Sequence, residues 1–350
     1  MKVVIIGAGI IGAALARHLH AAEADVTVMD VGAGATAASF GWINASFYLG
    51  EDHFRLRAAG LDAWRRLDVP LTWSGALCWE ETGDAFDAQY QALRRLNYDV
   101  EVIEADVFSV LEPHVSPPGR ALRFAAEGVA EPASTARALL QGVRRISGVQ
   151  VTGLSTKNGQ ISGVATEQGT VPADRVIVAA GNGSPALLDR LGIALPMLER
   201  PGVMMRTAPV PPRLAHILVT PQGEIRQDPA GHLWMPTAAQ HQSDTSTRVQ
   251  DRPDQLADRA LTQLRKLLND SALQWDHVML ANRPVPQDGL PVIGPAGPEG
   301  LFVAVMHSGV TLAAIAAELL GRQVLDQPLS NAQSDLAAPY GIDRFQSAMS

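Results

Sequence analysis

Arg283 stands immediately before a proline-pinned turn in the stretch RPVPQDGLPVIGP, which runs from Arg283 to Pro295 in the last quarter of the chain. A guanidinium offers two parallel N–H donors, a geometry matched to a carboxylate. Pro284 and Pro286 stiffen the turn and Asp288-Gly289 returns the chain to an apolar strand, so this arginine would meet a ligand at one angle. Pairing with a surface carboxylate is the other reading of Arg283, and it requires no such support. Downstream, His307 and Ser308 lead into GVTLAAIAAELLGR, a helical pattern with a candidate cap at Ser308 and a glycine stop at Gly321.

The opposite end of the chain carries a second chemistry. GAGIIG sets Gly7, Gly9 and Gly12 in the spacing G-x-G-x-x-G, directly after the apolar run KVVII and at the start of a helical pattern. Such glycines serve a tight turn, close approach of backbone to a pyrophosphate, and close helix–strand packing. The free N–H groups at the helix start, Ile10 and Ile11 among them, would face the phosphates. Asp30 ends the second strand, where an acidic side chain meets a ribose hydroxyl. A dinucleotide is therefore expected.

The next segment decides between dinucleotides. A nicotinamide domain would continue in strand–helix repeats, whereas here GAGATAASFGWINASF (32–47) is rich in small residues and poor in helical period. Small side chains suit backbone running close to a bulky ligand, which favours a flavin. The strand in DRVIVAAGNGSPAL ends in Ala180 and Gly181, where a ligand or another backbone can approach closely; an ordinary strand-to-helix turn would read the same way.

Composition narrows the classes further. The 350 residues carry a net charge of −8 with no Lys/Arg cluster, which argues against a nucleic-acid partner. A single cysteine, Cys78, excludes internal disulfides, Fe–S clusters and Cys-based zinc sites, and fits a reducing, cytoplasmic address. The apolar start is broken by glycines and reaches Arg17 and His18 too soon to span a bilayer, so no transmembrane segment is expected there. No metal-ligand spacing stands out.

The elements that must position these residues read as two textures. A βαβ unit occupies the first thirty residues, and helices are expected near 52–67, 84–98, 132–146, 184–191, 254–269 and 309–320. Short strands near 76–80, 121–127, 200–206, 216–220, 223–228, 231–236 and 276–282, separated by turn sequences such as TPQGE and DPAGH, suggest a mainly antiparallel sheet. Strands at 161–166 and 175–179 are expected to return to the first domain. The polar stretch 236–255 is the longest expected loop, a surface excursion or a lid, and the tail after Asp326 is weakly patterned. Arg226, Trp234 and His53 could each line a pocket or serve the core or surface.

Taken together, GAGIIGAALARHL, ATAASFGWINAS, DRVIVAAG, RPVPQDGLPVIGP and LFVAVMHSGVTLAAIAAELL resemble the FAD-dependent oxidoreductases of the D-amino-acid oxidase superfamily, nearest to the glycine oxidase, sarcosine oxidase and D-amino-acid dehydrogenase group. The resemblance implies an α/β fold: a Rossmann-like FAD-binding domain built from 1–75, 131–193 and 281–350, with an inserted, mainly antiparallel substrate domain of 76–130 and 194–280. It implies that Gly7, Gly9, Gly12 and Asp30 hold the ADP part. Thr36, Ala38 and Ser39 would lie along the pyrophosphate and ribityl chain, and Gly41, Trp42 and Asn44 near the flavin ring. Leu154 would contact adenine, and Ser308, Gly309, Val310, Thr311 and Leu312 would face the ring's pyrimidine side. Arg283 falls where the glycine oxidase branch clamps a substrate carboxylate. His307 departs from relatives that carry a second arginine or another polar group there.

The implied activity is oxidation of the C–N bond of an amino acid or secondary amine bearing a carboxylate, with non-covalent FAD as acceptor. Oxidation of a 2-hydroxy acid, or service as the flavin subunit of a multi-chain amine or opine dehydrogenase, would use the same clamp. A homo-oligomer or an electron-transfer partner subunit is compatible with either.

Overall fold

The computed structural model describes residues 1–32, 34–238 and 247–346. The centre of the expected loop or lid, 239–246, lies outside the described residues. KVVII forms the strand Lys2–Ile6, and its alternating side chains enter two different cores: Val3 and Ile5 on one face, Val4 and Ile6 on the other. A strand buried on both faces is the mark of a parallel sheet. This one has six strands in the order Val292–Pro295, Leu301–Val305, Arg175–Val178, Lys2–Ile6, Asp25–Asp30, Arg144–Ser147. Only the edge strand Val292–Pro295 runs antiparallel.

One face of this sheet is covered by helices α1 (Ile10–Ala21), α2 (Glu51–Arg65) and α3 (Gly309–Val324). The other packs on a three-stranded antiparallel sheet, Val151–Lys157, Gln160–Thr166 and Gly169–Pro172, through Val151, Ile161 and Val164. The strand expected at 161–166 therefore joins this separate layer and not the parallel sheet. A second large sheet of eight strands contains 76–78, 101–104, 120–124, 201–207, 217–220, 223–227, 233–238 and 275–282. It is antiparallel except where Ile217–Thr220 runs parallel to Ala76–Cys78. One of its faces joins the core of the parallel sheet, and helix Pro253–Leu267 covers the other through Ala257, Ala260 and Leu264.

Three expectations about local structure are corrected. The helix expected at 132–146 ends at Leu139, and Arg144–Ser147 is an edge strand; Gly142, at φ 78°, turns the chain between them. Gly321 does not stop the last helix, which runs on to Val324. It sits inside α3 because a Cβ there would overlap the His18 ring of α1. The tail is anchored: Ser330 caps helix Asn331–Ala337 in a capping box, Tyr340 is buried, and Arg344 pairs with Asp288 at 2.8 Å.

Arg226 on Gly223–Gln227 ties the antiparallel sheet to the loop after Asp30 and to the start of helix Pro132–Leu139. Its Nη1 and Nη2 donate to the two carboxylate oxygens of Glu131 (2.6 and 3.1 Å), and its Nε donates to the Phe40 carbonyl (2.5 Å). The guanidinium carbon also lies 5.6 Å from the Phe40 ring and 5.5 Å from the Trp234 ring. Arg226 is thus a strut between the antiparallel sheet and the loop after Asp30, and it lines neither large cavity.

The group left behind sets the cost of breaking this pair. Glu131→Ala would strand a guanidinium only 2% exposed, whereas Arg226→Met would leave a carboxylate that is 31% exposed and within reach of water. Glu131→Ala is therefore expected to lower stability by about 3–5 kcal/mol and Arg226→Met by clearly less, measured as midpoints of urea unfolding.

Candidate active site

Two adjoining cavities, of about 680 and 490 Å3, run along the carboxyl ends of the parallel strands and share Ala35, Ser39, Ala281, Pro284, His307, Gly309 and Val310 on their walls. The larger begins at the glycine motif. Gly7 has φ 109°, and a Cβ on it would overlap the Ala179 carbonyl; a Cβ on Gly12 would overlap the Gly7 carbonyl. Gly12 thus acts from behind the wall by letting α1 close on its strand. Gly9, Ile10, Ile11, Asp30, Thr36, Ser39, Ala180 and Gly181 all line this cavity. Asp30 is oriented by the N–H groups of Ala8 (3.2 Å) and Gly32 (2.9 Å). The Thr36 hydroxyl accepts from the Ile10 N–H at 3.0 Å, tethering the following loop to the start of α1.

At the far end of this cavity the wall is built from Val149, Gln150, Val151 and Thr152, and Leu154 is not part of it. The segment enters the three-stranded sheet at Val151, and the groups nearest the cavity are those at the strand's start, whereas Leu154 packs against the core shared with the parallel sheet.

The smaller cavity is lined by Ala38, Ser39, Gly41, Trp42 and Asn44 on one side and by Ser308, Gly309, Val310 and Thr311 on another, with Arg283 and His307 between them and the antiparallel sheet. Loop and helix are stitched by Thr311, whose hydroxyl donates to the Trp42 carbonyl (3.1 Å) and accepts from the Asn44 N–H (3.3 Å). Ser308 precedes α3, but its hydroxyl does not cap it; it accepts from Arg57 Nη1 at 2.5 Å. Leu312 is fully buried behind the wall with its N–H spent on the Ser308 carbonyl (3.0 Å), and the Gly309 N–H is spent on the His307 carbonyl (2.5 Å). The N–H groups at the helix start that find no acceptor among the described residues are those of Val310 and Thr311. The Trp42 indole N–H is also buried without a hydrogen-bond partner among the described residues.

Arg283 is held by its own backbone and by its neighbours. Its N–H donates to the Arg200 carbonyl at 2.8 Å, its side chain passes over Gly202, 3.7 Å from where a Cβ on that glycine would stand, and its Nη1 donates to His307 Nε2 at 3.4 Å. Because a guanidinium can only donate, that contact puts the His307 proton on Nδ1. Burial, then the charges of Arg283, Arg57 and His53, pull the His307 pKa down to about 3, so the ring is neutral. His53 does not line either cavity. Its Nδ1 accepts from the Leu49 N–H at 3.1 Å, and burial lowers its pKa to about 3 as well. Cys78 is buried in the antiparallel sheet, its thiol pushed up to about 12, and it lines neither cavity.

Two residues of this region escape a reading by motif. Arg57 is 2% exposed and sits on the wall of the smaller cavity. Its signal was the helical period: Phe54, Arg57, Leu61 and Trp64 form one stripe of α2, and a cation on an apolar stripe is out of place. Glu127, fully buried, accepts from the N–H groups of Ala45 (3.1 Å) and Ser46 (3.0 Å) and from the Tyr98 hydroxyl (2.7 Å). Only tertiary packing brings it under the loop.

The arrangement is an elongated slot, phosphate-type at one end, opening into a chamber whose walls carry unspent N–H donors and two arginines. The chain matches the family model described as FAD dependent oxidoreductase over residues 2–323. It is 25% identical to glycine oxidase of Pseudomonas aeruginosa, covering 93% of this chain and 97% of that protein. It is 27% identical to D-amino acid dehydrogenase of Rhizobium rhizogenes, covering 60% and 68% respectively. Among solved structures, glycine oxidase from Geobacillus kaustophilus superposes with a TM-score of 0.84 over 98% of this chain and 99% of that one, at 21% identity. Iminodiacetate oxidase from Chelativorans sp. BNC1 superposes at 0.82 over 97% and 98%, at 20% identity. The chain therefore belongs to the family of FAD-dependent oxidoreductases and is an enzyme that uses FAD to oxidise amino acids or amines.

Proposed function

We propose that this enzyme oxidises the C–N bond of an amino acid or secondary amine that carries a carboxylate, and that Arg283 holds that carboxylate. FAD would lie with its adenosine against Asp30 and Val149–Thr152, its pyrophosphate at Gly9–Ile11, and its ring between Gly41–Asn44 and the start of α3. The fit rests on the glycine cradle, which added Cβ atoms would close, and on the buried Trp42 N–H and the N–H groups of Val310 and Thr311, which a ring bearing carbonyl and nitrogen acceptors would satisfy. The proposal about substrate is carried by one observation: Arg283 is fixed at the wall of the chamber facing that bed, against Gly202 and the neutral His307.

Bound FAD supplies the two-electron acceptor for the hydrogen leaving the carbon next to nitrogen. The residues of the chain bind and orient. Arg283 would pair both carboxylate oxygens and so fix the direction of the adjacent C–H bond, which matters more to this reaction than acid–base assistance. His307, uncharged, accepts a hydrogen bond from Arg283 and limits its rotation without adding a competing charge. Loss of two electrons and two protons leaves an imine, to which water adds; release of ammonia or an amine gives a 2-oxo acid or an aldehyde. The printed activities of relatives, glycine oxidase, D-amino acid dehydrogenase and iminodiacetate oxidase, support an amine that carries a carboxylate.

Arg283→Ala is expected to weaken binding of the best substrate by about 2–5 kcal/mol, with FAD content unchanged, and Arg283→Lys to recover only part of that. A carboxylate-free analogue should be poor for both and indifferent to the mutation. Wild-type constants for Arg283→Ala in anaerobic flavin bleaching would end the clamp assignment. The protein should purify yellow and release its flavin on acid denaturation, and Gly9→Val should yield apoprotein, both read from the visible spectrum. Because His53 and His307 are held near pKa 3 against an ordinary 6.5, the unfolded chain binds protons that the folded one refuses. Stability should therefore be full above pH 6.5 and decline as pH falls toward about 3, and His53→Gln should flatten that decline in melting curves. No ionisation of His307 should appear in kcat/KM near neutrality.

A further inference from the structure

Arg57 spends three of its five N–H groups: Nε on the Asn44 carbonyl (3.1 Å), Nη2 on Asn44 Oδ1, and Nη1 on Ser308 Oγ (2.5 Å). None of these acceptors is charged, and the two N–H groups that remain, one on each Nη, find no acceptor among the described residues. A fully buried cation is costly without an anion, and this one stands beside the N-terminus of α3, whose dipole presents the same sign. Of the carboxylates whose charge reaches it, Glu127 and Glu224, neither forms an ion pair with it among the described residues, and Glu127 lies beyond the Asn44–Ala45 peptide. Burial pushes the Glu127 carboxyl above its ordinary range. The wall at Arg57 is thus positive, while Glu80, Glu81 and Glu224 line other parts of the same chamber.

Two anions could answer it, the substrate carboxylate or a negatively charged flavin, and placement chooses between them. Arg283 reaches the chamber from the antiparallel-sheet side, over Gly202. Arg57 reaches it from α2 and grips Asn44 and Ser308, the two segments that would bed the ring. We propose that Arg57 is the fixed positive charge that holds the negative charge FAD gains on reduction, leaving the carboxylate to Arg283. The assignment rests on FAD lying between these segments and not on the identity of the substrate.

The test uses the FAD-loaded enzyme and sulfite, which adds to the flavin ring and leaves negative charge on it. With FAD content checked by absorbance, Arg57→Gln should weaken sulfite binding by about tenfold or more, the effect of one buried charge-assisted hydrogen bond, and lower the flavin reduction potential. Arg57→Lys, which keeps the charge and loses the Asn44 grip, should stay within about threefold of wild type. If Arg57→Gln does not retain FAD, Arg57→Lys and Glu127→Gln carry the test: removing the counter-charge with Glu127→Gln should tighten sulfite binding. Unchanged sulfite affinity and potential in an FAD-replete Arg57→Gln enzyme would overturn the assignment. So would loss confined to binding of a carboxylate inhibitor, which would move Arg57 to the substrate. A wild-type protein that cannot be loaded with FAD would instead refute the placement of the cofactor.

Discussion

The peptide between Asn44 and Ala45 is gripped at both ends by buried charges of opposite sign. Its carbonyl accepts from Arg57 Nε at 3.1 Å, and its N–H donates to Glu127 Oε1 at 3.1 Å. The two charges are aligned with the peptide dipole, so each end of the group favours the side it faces. Neither charge could be buried alone at tolerable cost, and the loop between them could not be held so firmly by neutral partners. Arg57 comes from α2 and Glu127 from the turn before Gly128–Val129, which pairs with Trp42–Ile43, so a local contact depends on segments far apart in the chain.

From that peptide the restraint spreads in two directions. Asn44 and Trp42 are bound to Thr311, and Arg57 to Ser308, so the loop and the start of α3 move as one unit. The Trp64 indole donates to the Val310 carbonyl at 2.7 Å and fixes α2 to the same place. On the other side, Phe40 receives Arg226 from the antiparallel sheet. A flat ligand between loop and helix would thus find its walls already set, which lowers the ordering cost of binding.

The same economy explains the neutral histidines. His53 and His307 are buried within reach of the Arg57 and Arg283 charges, and protonating either would add a like charge beside them. Both are therefore used as shaped hydrogen-bonding rings. An enzyme that orients a substrate and passes its electrons to FAD needs no ionising group there.

The sequence by itself determined what depends on near neighbours. The glycine spacing at Gly7, Gly9 and Gly12, the strand ending in Asp30, the small-residue loop and the constrained turn after Arg283 are local signals, because each demands a particular backbone over a few residues. Their meeting at one end of a parallel sheet followed from the resemblance they carry together. Local signals failed where distant contacts overrode them. Gly321 sits inside a helix because His18 crosses it, and the Ser308 hydroxyl serves Arg57 and not its own helix. The pairing of Arg57 with Glu127 across one peptide was decided only by tertiary structure, since a buried charge is defined by what packs around it and no spacing along the chain encodes that.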